Sequence, residues 1–185
     1  RILGLIHSIK FKENAANDLN INFKKNKILI VCPYPYGEAA GQRLKYEQYF
    51  HDWEKNEFTI DIDPFFSKKT WDVLYKDGFT VQKFYGTLAG YFRRLRGLRY
   101  LKSYDKIYVF MWVTPLFGSF FESLYRFFSN KIIFDFDDSI HLYKNANDEK
   151  KLTSFLRSTK KTNYLIKNAD CVITSSPSNL DYCIQ

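Results

Sequence analysis

Three carboxylates follow one apolar run in the second half of the chain. Asp135, Asp137 and Asp138 come within four residues at the end of the stretch KIIFDFDD. Carboxylates in this pattern can act as nucleophile and acid/base in phosphoryl transfer, or they can form the floor of a sugar-binding cleft. The alternative is that these polar residues only close a strand. The choice depends on the elements that position the three side chains.

Five short apolar runs predict the strands of a sheet. They are KILIVCP from Lys27, FTIDID from Phe58, KIYVFMWV from Lys106, NKIIF from Asn130 and DCVITSS from Asp170. Segments with helical periodicity lie between the runs. This alternation predicts an α/β fold, a Rossmann-like parallel sheet with helices on both faces. The alternation of apolar and polar residues in FTIDID indicates a half-exposed strand near the sheet edge.

The segments between the strands are predicted to be helical. Residues 42–56 place aromatic side chains on one helical face, and glycines interrupt the helical pattern of residues 67–104. Ser176 followed by Pro177 predicts the start of a last helix. On residues 116–128 the predicted inward stripe is Phe117, Phe120, Phe121, Leu124 and Phe128.

Loops that follow the strands of a parallel sheet are its usual ligand-binding segments. In YPYGEAAGQR, Gly37 and Gly41 would let the backbone approach a ligand closely, or they serve only to make the turn. Arg43 is predicted in the first turn of the next helix, where a cation opposes the helix dipole. This misfit indicates an anionic ligand or an acidic neighbour such as Asp137, with a solvated arginine as the alternative. GEAAG lacks the GK[ST] of a Walker loop.

The composition limits the classes of function. The chain has 185 residues, is 45% hydrophobic and carries a net charge of +8, as expected for a folded domain with an anionic partner.

Neither a CxxC nor a His/Cys cluster is present, so we expect no metal and no cofactor. Cys32 and Cys171 are interpreted as buried thiols in a reducing compartment. The longest uncharged stretch, residues 107–121, is too short to span a bilayer.

Residues 78–104 contain six basic residues and no acidic one. Their apolar residues recur at helical spacing, which predicts a basic amphipathic helix whose apolar stripe packs on the sheet. Basic residues near anionic lipid headgroups contribute about 1 kcal/mol each, so the helix is a candidate membrane contact; the alternative is a surface helix that only packs. No recognition motif for nucleic acid is present, and we do not expect nucleic acid as a partner. The candidate membrane contacts are Arg93, Arg94, Arg96 and Arg99.

The stretch IIFDFDDSI resembles the first motif of the haloacid-dehalogenase phosphatases. The resemblance implies that Asp135 is a nucleophile and Asp137 an acid/base, with Thr174 or Ser175 as the family's second motif. That family's first motif normally opens its domain, whereas strands precede it here. A phosphatase is therefore the alternative interpretation.

A second resemblance covers residues 27–185, which look like the N-terminal domain of retaining glycosyltransferases of family 4, with the GT-B fold. Four segments carry it in the family's order: KILIVCPYPYGEAAGQR, SYDKIYVFMWVTP, NKIIFDFDDSIHL and NADCVITSSPSNLDYC. They resemble the opening strand with its Gly-containing loop and small-residue-then-Arg element, the YD-strand element, the FDxDD signature of one branch, and the AD-strand-Ser element.

The resemblance implies the acceptor-side half of an enzyme that moves a sugar from a nucleotide-sugar donor to a glycan or lipid-linked acceptor with retention. An absent second domain would hold the donor, so this chain alone is expected to be inactive. Many relatives have a His-Asp pair where this chain has Asp137 and Asp138, so these carboxylates become candidates for orienting the acceptor, and no catalytic residue is assigned.

The same resemblance places the protein in the cytoplasm, with peripheral contact at the inner face of the membrane. Residues 1–26 are predicted to form a lead-in helix and a polar linker outside the domain. A non-catalytic Rossmann-like module that binds an anionic partner is a further alternative.

Overall fold

A five-stranded parallel sheet organises the chain; the computed structural model describes residues 26–136 and 159–184. The strands are β1 (Asn26–Cys32), β2 (Phe58–Pro64), β3 (Lys106–Phe110), β4 (Ile132–Phe136) and β5 (Cys171–Thr174). Their spatial order is β2-β1-β3-β4-β5, and every neighbouring pair is parallel. The predicted Rossmann-like α/β fold is confirmed, and FTIDID forms the edge strand β2.

Helices connect the strands. They are α1 (Ala40–Lys45), α2 (Phe50–Lys55), α3 (Lys68–Leu74), α4 (Thr80–Gly97), α5 (Phe120–Phe128), α6 (Thr159–Asn168) and α7 (Pro177–Ile184). Short 3-10 turns join α1 to α2 (Glu47–Tyr49) and extend α4 (Leu98–Ser103). The last helix begins as predicted, because Ser176 Oγ accepts a hydrogen bond from the N–H of Asn179 at 3.2 Å. The predicted lead-in helix lies outside the described residues.

Each face of the sheet has its own core, because strand side chains alternate between the two faces. Helices α1 and α2 cover one face, where the buried residues are Ile28, Ile30, Cys32, Tyr46, Phe50, Tyr108 and Phe110. Helices α4, α5 and α6 contribute to the core on the other face, which includes Leu29, Val31, Tyr91, Val109, Phe121, Tyr125, Phe134 and Leu165. Helices therefore cover both faces, as predicted.

Two aspartates hold neighbouring strands together at the amino end of the sheet. Asp105, just before β3, accepts a hydrogen bond from the N–H of Lys27 in β1 at 2.8 Å. Asp170, just before β5, accepts one from the N–H of Ile132 in β4 at 2.8 Å and pairs with Arg126 at 3.0 Å. Both lie at the edge opposite the ligand-binding ends of the strands, so their role is structural.

Helix α4 approaches the end of β2 closely at Gly90. A Cβ on Gly90 would lie 2.7 Å from the carbonyl oxygen of Phe65, so only glycine permits this approach of helix and strand end. Gly86 and Gly90 therefore lie inside one continuous helix, and the prediction that glycines interrupt it is wrong at these positions.

The apolar stripe of α4 is divided between core and solvent. Tyr91 and Leu101 are buried, but Phe92 is 67% exposed and Leu95 47% exposed. The prediction that this stripe packs on the sheet is wrong for Phe92 and Leu95, because the inward side of the helix carries Gly90 and Arg94 instead.

The start of α5 also differs from the prediction. Phe121 is buried, whereas Phe117 and Phe120 are exposed. Phe117 belongs to a loop, where its φ of 68° lies in the left-handed region, and the helix begins only at Phe120. The predicted inward stripe is therefore wrong at its first two positions.

The two cysteines in strands have different environments. Cys32 lies in a central strand, and burial raises the pKa of its thiol to about 12, which makes it unreactive. Cys171 is exposed, since β5 is an outer strand with an alternating burial pattern. The prediction of a buried thiol is confirmed for Cys32 and wrong for Cys171.

Candidate functional site

The strand order reverses between β1 and β3, and open α/β sheets bind ligands outside the carboxyl ends of their strands at such a point. Two described loops leave the sheet there: residues 33–39, the β1 loop, and residues 111–119, the β3 loop. The third predicted segment follows β4. Asp137 and Asp138, which belong to it, lie outside the described residues.

Two buried side chains fix the backbone of the β1 loop. Gln42 accepts a hydrogen bond from the N–H of Tyr34 and donates one to the carbonyl of Tyr34, both at 3.0 Å. Glu47 accepts a hydrogen bond from the N–H of Gly37 at 3.0 Å and another from the Gln42 amide at 3.3 Å. The loop is therefore held in one conformation before any ligand arrives.

The three predicted site residues of this segment lie on the surface. Gly37 has a φ of 77°, a conformation that favours glycine, and Gly41 is in the first turn of α1 with open space around its Cβ position. Arg43 is exposed, and its guanidinium makes no hydrogen bond or ion pair with the described residues.

The position of Arg43 in its helix differs from the prediction. Helix α1 ends at Lys45, so Arg43 lies in its last turn, where a cation suits the helix dipole. The prediction of a misfit with the dipole is wrong, because the helix is only six residues long. Arg43 remains a candidate by exposure and position, not by electrostatic conflict.

Arg94 joins the carboxyl ends of β1 and β2 to the β3 loop. It is fully buried, and its guanidinium donates to the carbonyls of Val113 (2.9 Å), Asp63 (2.7 Å) and Cys32 (3.0 Å). It also pairs with the carboxylate of Asp63. Burial lowers the pKa of Arg94, but Asp63, Tyr125 and Cys32 together raise it, and the net shift is upward. The prediction of a membrane contact is wrong for Arg94, because its charge is used inside the fold.

The other three predicted membrane contacts differ in exposure. Arg93 is half-buried and donates to the carbonyl of Pro64 at 2.6 Å. Arg96 and Arg99 are exposed, and Arg99 lies over the ring of Tyr100 at 5.1 Å. Two of the four arginines therefore present their charge fully to solvent.

A buried acid and a buried base hold the β3 loop. Glu122 accepts a hydrogen bond from the N–H of Val113 at 3.2 Å. Lys161 donates to the carbonyls of Thr114 (2.8 Å) and Pro115 (2.6 Å). Burial raises the pKa of Glu122 and lowers the pKa of Lys161. Lys161 and one carboxylate oxygen of Glu122 position backbone, while Glu122 Oε2 is buried without a hydrogen-bond partner among the described residues. The burial that comes with these positions accounts for the shift of both pKa values.

Asp135 lies inside the fold, on the face of the sheet opposite Phe134 and Phe136. It is 1% exposed, its carboxylate is 3.2 Å from the Nζ of Lys45, and it accepts a hydrogen bond from the Tyr108 hydroxyl. Burial and the Asp135 carboxylate raise the pKa of Tyr108, which keeps this hydroxyl protonated as a donor. Sequence reasoning missed Lys45, because its partner is on a distant strand and no local pattern links α1 with β4.

A pocket of roughly 490 Å³ opens beside the β1 loop, between α2 and the edge strand β2. Its lining residues are Tyr36, Glu47, Gln48, Phe50, His51, Glu54, Ile60 and Ile62. The exposed ring of Tyr36 stacks on Phe50 with centroids 5.9 Å apart. An aromatic face beside carboxylates and an imidazole suits a ligand with both apolar faces and hydroxyl groups. None of the residues predicted as site residues lines this pocket.

Within residues 26–136 and 159–184, no cluster of three or more His, Cys, Asp or Glu side chains is placed to hold a metal ion. None of the helices described has the length and apolar character to cross a membrane. Comparisons of the chain with protein-family models, curated proteins and solved structures found no match.

Proposed function

We propose that residues 27–185 form the acceptor-side half of a GT-B glycosyltransferase, which transfers a sugar from a nucleotide-sugar donor with retention. The β1 loop is the observation that supports this most. Its glycine-containing segment resembles the family's first loop, and it leaves the sheet where the strand order reverses. Gln42 and Glu47 hold its backbone in place, and the pocket opens directly beside it.

The chemistry of the pocket fits an acceptor sugar better than a nucleotide diphosphate. Glu47 and Glu54 bring carboxylates to its lining, and His51 adds an imidazole. Carboxylates repel phosphates but accept hydrogen bonds from sugar hydroxyls. Tyr36 offers an exposed ring for the apolar face of a sugar. The donor would be held by a second domain, so we expect the 185-residue chain to bind acceptors and to lack transferase activity.

The test is ligand binding by the chain. Saturation-transfer NMR with glucose, galactose, N-acetylglucosamine and their disaccharides is expected to detect binding that Tyr36→Ala weakens. Tyr85→Ala, which removes another exposed tyrosine, is the matched control and should leave binding unchanged. Calorimetry with UDP-glucose should show no heat of binding. Tight UDP-glucose binding, or saccharide binding indifferent to Tyr36→Ala, would contradict the proposal.

The environment of Asp135 does not favour the phosphatase alternative. A nucleophilic carboxylate must reach phosphorus, whereas this one is buried and faces Lys45 and Tyr108. We therefore expect no hydrolysis of p-nitrophenyl phosphate by the chain with magnesium. Magnesium-dependent hydrolysis that disappears in Asp135→Asn would restore the alternative.

A further inference from the structure

Helix α4 carries a row of large apolar side chains on its solvent side. They recur every three or four residues and so share one face of the helix. This outer face of α4 consists of Val81 (70% exposed), Phe84 (63%), Leu88 (54%), Phe92 (67%) and Leu95 (47%). Single exposed apolar residues are ordinary, but a continuous row marks an interaction surface.

The β3 loop and the first residue of α5 continue this apolar surface. Phe117 and Phe120 are 61% and 58% exposed, and the ring of Phe117 lies 5.3 Å from that of Tyr91. Tyr91 is one helical turn from both Leu88 and Leu95, so the loop lies beside the outer face. A φ of 68° is uncommon for an aromatic residue. The loop therefore adopts an unfavourable conformation and leaves a phenylalanine in solvent, which indicates a functional constraint.

The exposed charges at the C-terminal end of this surface are basic, whereas Asp77 is exposed just before its N-terminal end. Arg96, Arg99 and Lys102 are exposed near the C-terminal end of α4, and no acidic residue occurs between positions 78 and 104. A row of phenylalanine and aliphatic side chains bordered by arginines is typical of helices that lie in the membrane interface. Lipid phosphates complement these charges, whereas a parallel pairing of two copies through their outer faces would bring the arginines together.

We propose that the outer face of α4, together with Phe117 and Phe120, docks on an anionic membrane surface. The helix lies parallel to the surface, its apolar row enters the boundary between headgroups and acyl chains, and the exposed arginines contact lipid phosphates. Apolar insertion supplies much of the affinity, so raising salt weakens binding only in part. This inference does not depend on the chemistry of the pocket.

The experiment compares three forms of the chain on vesicles. The outer-face variant is Leu88→Gln, Phe92→Gln and Leu95→Gln, in which glutamine preserves helix propensity. The matched control replaces two leucines and one phenylalanine elsewhere that are at least as exposed: Leu44→Gln, Phe127→Gln and Leu180→Gln, at 72%, 76% and 51% exposure. Thermal unfolding of each variant confirms the fold. Binding is measured by co-sedimentation with vesicles of phosphatidylcholine alone or mixed with phosphatidylglycerol.

We expect wild type and the matched control to bind the mixed vesicles alike, and the outer-face variant to bind about tenfold or more weakly, which corresponds to about 1.4 kcal/mol. Arg96→Gln with Arg99→Gln should remove the preference for phosphatidylglycerol. Absence of wild-type binding would overturn the proposal, as would equal binding by the outer-face variant. A wild-type dimer in light scattering that the outer-face variant converts to monomer, without vesicle binding, would assign the surface to self-association instead.

Discussion

The helices on the two faces of the sheet pack in opposite ways. In the layer formed by α1 and α2, Tyr46 and Phe50 are buried against the strands. In α4, Gly90 and Arg94 face inward while Phe92 faces solvent. Both segments have apolar residues at helical spacing in the sequence. The comparison shows that such spacing identifies a face of a helix but not the direction in which that face points.

The reason for the difference lies at the end of β2. The ring of Phe65 packs against Phe66, Tyr91 and Trp112, with centroid distances of 4.9, 5.2 and 5.5 Å. Tyr91 is the side chain that α4 contributes to this cluster, and Gly90 lies directly over the Phe65 ring, where there is no room for a side chain. On the other face the strands contribute Tyr108 and Phe110, whose rings each lie 5.3 Å from the ring of Tyr46. Phe50 and Trp53 of α2 complete that core.

Arg94→Met should have the largest effect. The change removes a buried cation that serves three carbonyls and leaves the Asp63 carboxylate without its partner. Breaking one partner of a buried pair costs about 3–5 kcal/mol, so we expect that decrease in the free energy of unfolding, measured by urea denaturation.

Arg96→Met is the control for this prediction. Arg96 is exposed on the same helix, and surface charges contribute only about 0–1 kcal/mol. Equal effects of the two substitutions would mean that Arg94 does not hold the strand ends, and the contrast between the two layers would fail.

Gly90→Ala tests the close approach of α4 to the sheet. Alanine has the higher helix propensity, but its Cβ would lie 2.7 Å from the Phe65 carbonyl oxygen and 2.8 Å from the Phe65 ring. Overpacking of this kind costs about 1–3 kcal/mol, so we expect a net loss of stability in urea denaturation.

Gly97→Ala in the same helix should have the opposite sign. Its nearest neighbour would be the Tyr125 hydroxyl at 3.6 Å, an ordinary contact, so the helix gains about 0.5–1 kcal/mol in propensity. Stabilisation by both substitutions would show that glycine is not required at position 90.

The sheet was predictable because buried strands leave a strong local signal. KILIVCP and KIYVFMWV are apolar after their first lysine, whereas FTIDID alternates between apolar and polar residues. This difference correctly distinguished central strands from the edge strand. The start of α7 was predictable too, since Ser176 caps its own helix. These features depend on residues that are neighbours in sequence.

The candidate site was less predictable because its contacts join distant segments. In the sequence, Arg94 cannot be distinguished from its neighbours Arg93 and Arg96. It is buried because its guanidinium binds backbone carbonyls of three segments that are distant in sequence. The same holds for Lys45 and Asp135, on α1 and β4. The conformation of Gly37, by contrast, is a local property, since its φ of 77° favours glycine. Its place in a ligand-binding cleft stays a prediction.

Glu122→Gln tests how the buried carboxylate that holds the β3 loop makes the free energy of unfolding depend on pH. Burial raises the pKa of Glu122 above 4.5 in the folded state, so its contribution to stability is greatest below that pH and falls as pH rises through the folded pKa. Glutamine does not titrate. The variant should therefore gain stability relative to wild type as pH rises above 4.5, by about 1.4 kcal/mol per pH unit until the folded pKa is passed.

Urea denaturation of wild type and Glu122→Gln from pH 4.5 to neutrality measures this difference. Glu38→Gln, which changes a partly exposed carboxylate in the β1 loop itself, serves as the control. Parallel curves for wild type and Glu122→Gln would mean that the carboxylate is not desolvated under the β3 loop.

Phe92→Gln should have the smallest effect on stability. Phe92 is 67% exposed on the outer face of α4, and surface substitutions away from special features change the free energy of unfolding by about 0.5 kcal/mol or less. Phe50→Gln is the counterpart in the other layer, where the ring is buried beside Tyr46 and Trp53 and its loss should cost about 3–5 kcal/mol. Urea denaturation of the pair measures the contrast directly. A large loss of stability in Phe92→Gln would mean that its ring is buried in the folded protein in solution. The outer face of α4 would then not be exposed to solvent.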